Sequence, residues 1–186
     1  MELNNIIKEI AKNAAKPLHN VSEIGVKAIK EFEIECSLLD DYNYEDIRES
    51  KNFKNLFNDL KKIEGPVLYY WEVTSDHSPY EIVERIKKYA NSENSKSIPA
   101  IKRNYPQTKI LYVGKVKKHI WGRFVQHLGF YKVQRTQGLQ LFYWAKELCL
   151  DLKVTVLEFE PDMINLMDVL EREMAKELKP ILGKHR

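Results

Sequence analysis

An α/β chain of the α+β kind, led by a helical N-terminal extension, is the fold class the sequence predicts. Three observations carry it. Residues 1–63 are dominated by stretches with three- and four-residue apolar spacing. Three later runs rich in β-branched and aromatic residues read as strands. Amphipathic segments lie between and after those strands. The sequence divides into a helical extension over 1–63 and a second domain over 64–186, with a helical insert at about 75–107.

In order, NNIIKEIAKNAA reads as a short helix ended by Pro17, and VSEIGVKAIKEFEIE as a second helix. NFKNLFNDLKKI places Phe53, Leu56, Phe57, Leu60 and Ile63 on one helical face. No catalytic constellation is visible in this part. Its expected role is to cap the core or to aid homo-oligomerisation. Gly65-Pro66 punctuates the chain, and VLYYWEV follows as the first strand. In the next segment Ser78, Pro79 and Glu81 have the spacing of a helix start with a capping box, so PYEIVERIKKYA is a helix. The polar NSENSKS is a loop and KILYVG the second strand. HIWGRFVQHL and TQGLQLFYWAKEL are helices, KVTVLEF is the third strand, and MINLMDVLEREMAKEL is a long helix stopping at Lys179-Pro180.

Composition narrows the function classes. Of the 186 residues 44% are hydrophobic, so a packed core rather than disorder is the expectation. Cys36 and Cys149 have no metal-type spacing, which argues against a zinc site or a disulfide framework. The N-terminus mixes charges through its apolar positions, unlike a signal peptide, and no apolar run nears the roughly 20 residues of a membrane span. A soluble, cytoplasmic protein without a membrane partner is expected. The formal net charge is only +3, but no Asp or Glu occurs between Lys96 and Lys146. Such a basic block is either a solvated lysine-rich face or a surface for a polyanion, most often nucleic acid. Lys115, Lys117, Lys118, Lys132 and Arg135 are the candidate phosphate contacts.

Two helices carry further chemistry. On a wheel of about 100° per residue, Ile120, Trp121, Phe124, Val125 and Leu128 form an apolar arc, with Arg123 and His127 adjacent at its rim. A guanidinium there can offer two parallel hydrogen bonds to a phosphate; the alternative is a surface arginine with an incidental histidine. Gly114, at the strand end, permits a tight turn or close approach. In the last helix Glu171 falls inside the arc formed by Met163, Leu166, Met167, Leu170, Met174 and Leu178. An unpaired carboxylate there is costly. It must be protonated, paired with a cation, or bound to a metal.

Together these pieces resemble the GIY-YIG nuclease superfamily over about residues 65–186. VLYY sets Tyr69 at the position of the first tyrosine, and YVG supplies Tyr112. Arg123 and His127 lie on the helix that carries the catalytic arginine, and LEREMAKELKP matches the glutamate helix through Glu171. Val67 replaces the first glycine, Gly183 stands where an asparagine is frequent, and the two half-motifs are about forty residues apart. The resemblance implies a small three-stranded antiparallel sheet flanked by helices. It implies phosphodiester hydrolysis with one Mg²⁺ or Mn²⁺ held by Glu171, and a double-stranded DNA substrate. Tyr69, Tyr112, Arg123, His127 and Glu171 are the implied catalytic residues, with Tyr69 orienting or deprotonating the attacking water. A non-catalytic nucleic-acid-binding protein of this fold, or an RNase, are the alternatives.

Overall fold

The computed structural model describes residues 2–39, 46–131, 133 and 137–184. Among these, six α-helices surround one open, four-stranded antiparallel sheet. The strands are β1 (Ala28–Glu35), β2 (Val67–Val73), β3 (Ile110–Val116) and β4 (Asp151–Glu158), in the spatial order β1-β4-β2-β3. The expected three-stranded sheet is therefore one strand short. β1 was expected to lie within a helix spanning residues 21–35. Its sequence instead alternates: Phe32, Ile34 and Cys36 point inward while Glu31, Glu33 and Glu35 are exposed. That period of two is a strand signal. The three exposed glutamates also charge an edge strand and discourage further pairing.

The N-terminal helix differs from expectation as well. α1 (Glu2–Ile24) runs through Pro17 as one helix of 23 residues. A proline inside a helix forfeits a hydrogen bond and crowds the preceding turn, at a cost of about 3 kcal/mol. Packing beyond the proline offsets it: Leu18 and Val21 lie against Phe159, Met163 and Met167. The helix stops at Gly25, whose φ of +87° and N–H bond to the Val21 carbonyl make a left-handed C-terminal cap. α2 (Lys54–Lys61) lies within the expected 52–63 helix and buries Phe57 and Leu60.

The inward faces of β2 and β4 carry Val67, Tyr69, Trp71, Leu152, Val154 and Val156 into the main core. Ile34, Cys36, Leu39, Ile47, Phe53, Phe57, Leu60 and Ile63 belong to that same core, so the expected boundary at residue 63 does not divide it. The opposite sheet face, through Leu68 and Leu157, packs on α6 (Met167–Leu178) and the end of α1. The expected helix over 163–178 is split. A 3₁₀ segment, Pro161–Asn165, precedes α6.

α3 (Pro79–Ala90) begins with the expected capping box. Ser78 Oγ accepts from the Glu81 N–H, and the Glu81 carboxylate accepts from the Ser78 N–H at 2.8 Å. α4 (Ile120–Leu128) and the single turn α5 (Leu141–Trp144) complete the main-core side. α5 is much shorter than the helix expected over 136–148. Left-handed Gln140 precedes it and left-handed Cys149 follows it. No described helix is long and apolar enough to cross a membrane.

Candidate active site

The sheet register builds the site. Tyr69 on β2 lies directly opposite Gly114 on β3, and Trp71 opposite Tyr112. A bulge at Trp71/Glu72 shifts the register, so Leu111 and Tyr112 both reach the main core. A Cβ on Gly114 would lie 2.6 Å from Tyr69 Oη and 2.7 Å from Tyr112 Cε1. The glycine is what lets the two tyrosine rings meet over the edge strand. Their centroids are 6.3 Å apart.

α4 brings the other half. Arg123 Nε donates to Tyr69 Oη at 3.2 Å, and Tyr69 Oη lies 2.9 Å from His127 Nε2. The i, i+4 spacing thus delivers both side chains to one hydroxyl, as the helical wheel implied. His127, however, is fully buried rather than at the rim. The cause is the segment after α4, which folds back as a lid: the Leu139 N–H donates to His127 Nδ1 at 3.1 Å. Arg123 is half-buried. Its Nη1 donates to Gln126 Oε1 and to the Gln137 carbonyl, each at 2.6 Å.

The electrostatics follow from burial. Desolvation pushes the Tyr69 hydroxyl far above the ordinary tyrosine range, and the Arg123 charge only partly opposes it. Desolvation, aided by Arg123, holds His127 well below its ordinary value, so its ring is neutral. Burial alone would weaken the Arg123 cation, but attraction to the Tyr69 and Tyr112 hydroxyls outweighs it. Of the two roles expected for Tyr69, a buried neutral hydroxyl favours orienting a water over deprotonating it.

Glu171 approaches from α6, on the other side of the edge strand. Lys115 follows Gly114 and points to that side, donating to Asp168 Oδ1 at 2.5 Å and to Glu171 Oε2 at 3.2 Å. Of the three fates open to a carboxylate on that arc, the structure displays pairing with a cation. Burial works against the Lys115 ammonium, but Asp168 and Glu171 raise it overall. The Glu171 charge is still felt at the Tyr69 hydroxyl. Sequence reasoning missed Asp168. Its i, i+3 relation to Glu171 was the available signal.

Among the described residues, no cluster of three or more His, Cys, Asp or Glu side chains forms a metal cage. Two carboxylates one helical turn apart, converging on one cation, nevertheless fit Mg²⁺. That ion commonly takes one or two carboxylates and completes its shell with water and phosphate oxygen.

The basic block is acid-free in sequence but not in space. Lys115 is held by Asp168 and Glu171 and is not a free phosphate contact. Lys109 donates to the Ser75 and His77 carbonyls, and Lys96 to the Gly129 and Tyr131 carbonyls. Lys117 and Lys118 are exposed as expected. Lys132 and Arg135 lie outside the described residues. No protein-family model, curated protein or solved structure matches the chain.

Proposed function

We propose that the protein is a metal-dependent endonuclease of the GIY-YIG kind that hydrolyses phosphodiester bonds, with DNA as the expected substrate. The observation that supports this most is the convergence of Tyr69, Tyr112, Arg123 and His127 on one hydroxyl network, with Glu171 in electrostatic reach. Arg123 is held on three sides before any substrate arrives, so little reorganisation is needed when charge develops on a phosphate. Its flat guanidinium suits two phosphate oxygens. Tyr69 and Tyr112 supply hydroxyls to orient a water or a phosphate oxygen. Asp168 and Glu171 would hold the divalent ion in exchange for Lys115. When bound, the ion would act as a Lewis acid on the phosphate. Exposed Lys117 and Lys118 would meet the backbone.

One observation favours a second reading. Lys115 already neutralises Asp168 and Glu171, as expected for a nucleic-acid-binding protein that keeps the fold without the chemistry. The two readings separate when pure protein is incubated with plasmid, single-stranded DNA and RNA, each with Mg²⁺ or with chelator. Mg²⁺-dependent nicks or fragments are expected on DNA. Binding without cleavage of any substrate overturns the enzyme, and cleavage of RNA alone reassigns the substrate.

A further inference from the structure

We propose that residues 137–140 form a strap that fixes His127 as its Nε2–H tautomer, making it a hydrogen-bond donor to Tyr69 rather than the base that takes the tyrosine proton. Trp144 is the positioning residue that secures the strap.

A neutral imidazole has one N–H and one acceptor nitrogen. Backbone N–H groups only donate. The Leu139 N–H points at Nδ1 from 3.1 Å, so Nδ1 must be the acceptor and the ring proton sits on Nε2. Nε2 lies 2.9 Å from Tyr69 Oη and therefore donates to it. Arg123 Nε–H donates to the same oxygen at 3.2 Å. Tyr69 Oη thus receives two N–H donors, and its own proton is directed away from both. A proton leaving Tyr69 therefore cannot pass to His127 Nε2, which already carries one. Both donors stabilise negative charge on the phenol oxygen.

The strap is built to stay in place. A Cβ on Gly138 would lie 2.3 Å from the Gln126 carbonyl oxygen, so only glycine lets the segment lie this close to α4. The Gln137 carbonyl accepts from Arg123, and the Gly138 N–H donates to the Ser97 carbonyl at 3.3 Å. The fully buried Trp144 donates from Nε1 to the Leu139 carbonyl at 2.6 Å, fixing the peptide next to the one that reads His127. Protonating Nδ1 would break the Leu139 bond and bury a cation beside Arg123. The other groups with polar atoms facing the ring are Tyr69 and Trp71 of β2 and Tyr112 of β3, and none offers a compensating charge.

The tautomer is independent of any substrate; only its catalytic consequence rests on the nuclease reading. Long-range proton–nitrogen correlation spectra of ¹⁵N-labelled protein, with His127 assigned by its loss in His127→Gln, report which nitrogen bears the proton. The expected result is a protonated Nε2 and a bare Nδ1 from about pH 8 to about pH 5.5, across the ordinary histidine pKa of about 6.5. An Nδ1–H ring, or one that titrates near that value, overturns the proposal even if the protein cleaves DNA. If the tautomer holds and no nucleic acid is cleaved, the nuclease reading fails and the strap stands. Trp144→Phe keeps an aromatic side chain but removes the indole N–H; Gly138→Ala displaces the strap directly. Each is expected to mix the His127 tautomers and to lower kcat on the order of tenfold to a hundredfold at unchanged KM, as small misplacements do. Wild-type spectra and rates in both variants would remove the strap and Trp144 from this role.

Discussion

At Tyr69 one oxygen is shared by a cation and a neutral ring, and the two neighbours predict different behaviour. On the proposed nuclease reading Arg123→Ala removes charge from the phosphate side, so cleavage is expected to fall by about 10²–10³ with little change in DNA affinity. Tyr69→Phe removes one hydroxyl and keeps the ring that fills the space over Gly114. It should lose rate in the same way, and full activity in steady-state cleavage assays would exclude Tyr69 from handling the water. His127 predicts a pH effect on stability. Its folded pKa lies well below its unfolded value, which is about 6.5. Above that pH both states are neutral there and the stability is fully present. Below it the unfolded chain takes a proton the folded chain refuses, so stability falls as pH drops toward the folded value, by up to about 1.4 kcal/mol per pH unit. Urea midpoints between about pH 6.5 and pH 5 should slope downward in the native protein. His127→Gln is expected to remove that part of the slope while lowering overall stability. The helical wheel made the Arg123–His127 pairing legible. The burial of His127 was not, because the lid comes from residues 137–140, which have no periodic signature.

At the scale of elements, α6 and β3 share the ion pair that decides how Glu171 behaves. Glu171→Ala leaves Lys115 bonded to Asp168, which is exposed. The pair lies between surface bridges, worth about 0–1 kcal/mol, and buried ones, whose breaking costs about 3–5 kcal/mol. A loss of about 1–2 kcal/mol in denaturant melts is therefore expected. Cleavage should be abolished and DNA binding kept. Activity lost only in proportion to unfolded protein would make Glu171 a purely structural partner. The N-terminal elements differ sharply in importance. Residues 2–16 are all exposed, so a chain beginning at residue 16 should melt within a few degrees of the full protein. A chain beginning at residue 64 loses β1 and α2. It strips the core of Ile34, Phe57 and Leu60, each at most 1% exposed, and leaves β4 as an open edge. It should not unfold cooperatively by circular dichroism. β1 was legible in the alternation of Glu31, Glu33 and Glu35 with Phe32 and Ile34. The helical neighbours on both sides, and the pairs Val26–Ile29 and Ala28–Phe32 at three- and four-residue spacing, masked it.

For the whole molecule, charge and topology act together. The +3 net charge is modest, and Lys96, Lys109 and Lys115 of the basic block are engaged in holding loops and α6. Phosphate contact is therefore expected at few residues, Lys117 and Lys118 foremost. Affinity for DNA should fall with salt as counterions are released. Replacing both lysines by alanine should weaken all sequences alike and reduce the log–log salt slope by about 2. Fluorescence anisotropy titrations from low to physiological salt check this. A slope unchanged by the double substitution would move the interface elsewhere.

The sequence by itself determined the elements whose signals are local. β2, β3 and β4 follow from runs of β-branched and aromatic residues. α3 follows from a cap at Ser78 and Glu81, and the apolar arcs of α4 and α6 from their spacing. The resemblance of its motifs to the GIY-YIG nucleases also grouped Tyr69, Tyr112, Arg123, His127 and Glu171 as one expected set. Only the tertiary structure decided which of them touch and what each one faces. Tyr69 meets His127 across 58 residues, and Lys115 meets Glu171 across 56. Such contacts depend on strand register, on the bulge at Trp71/Glu72 and on which face of the edge strand each side chain takes. A pattern among neighbouring residues constrains the shape of a segment. It does not constrain the distant partner that segment will meet, and those partners are what leave Arg123 bonded to Tyr69 and Glu171 paired with Lys115.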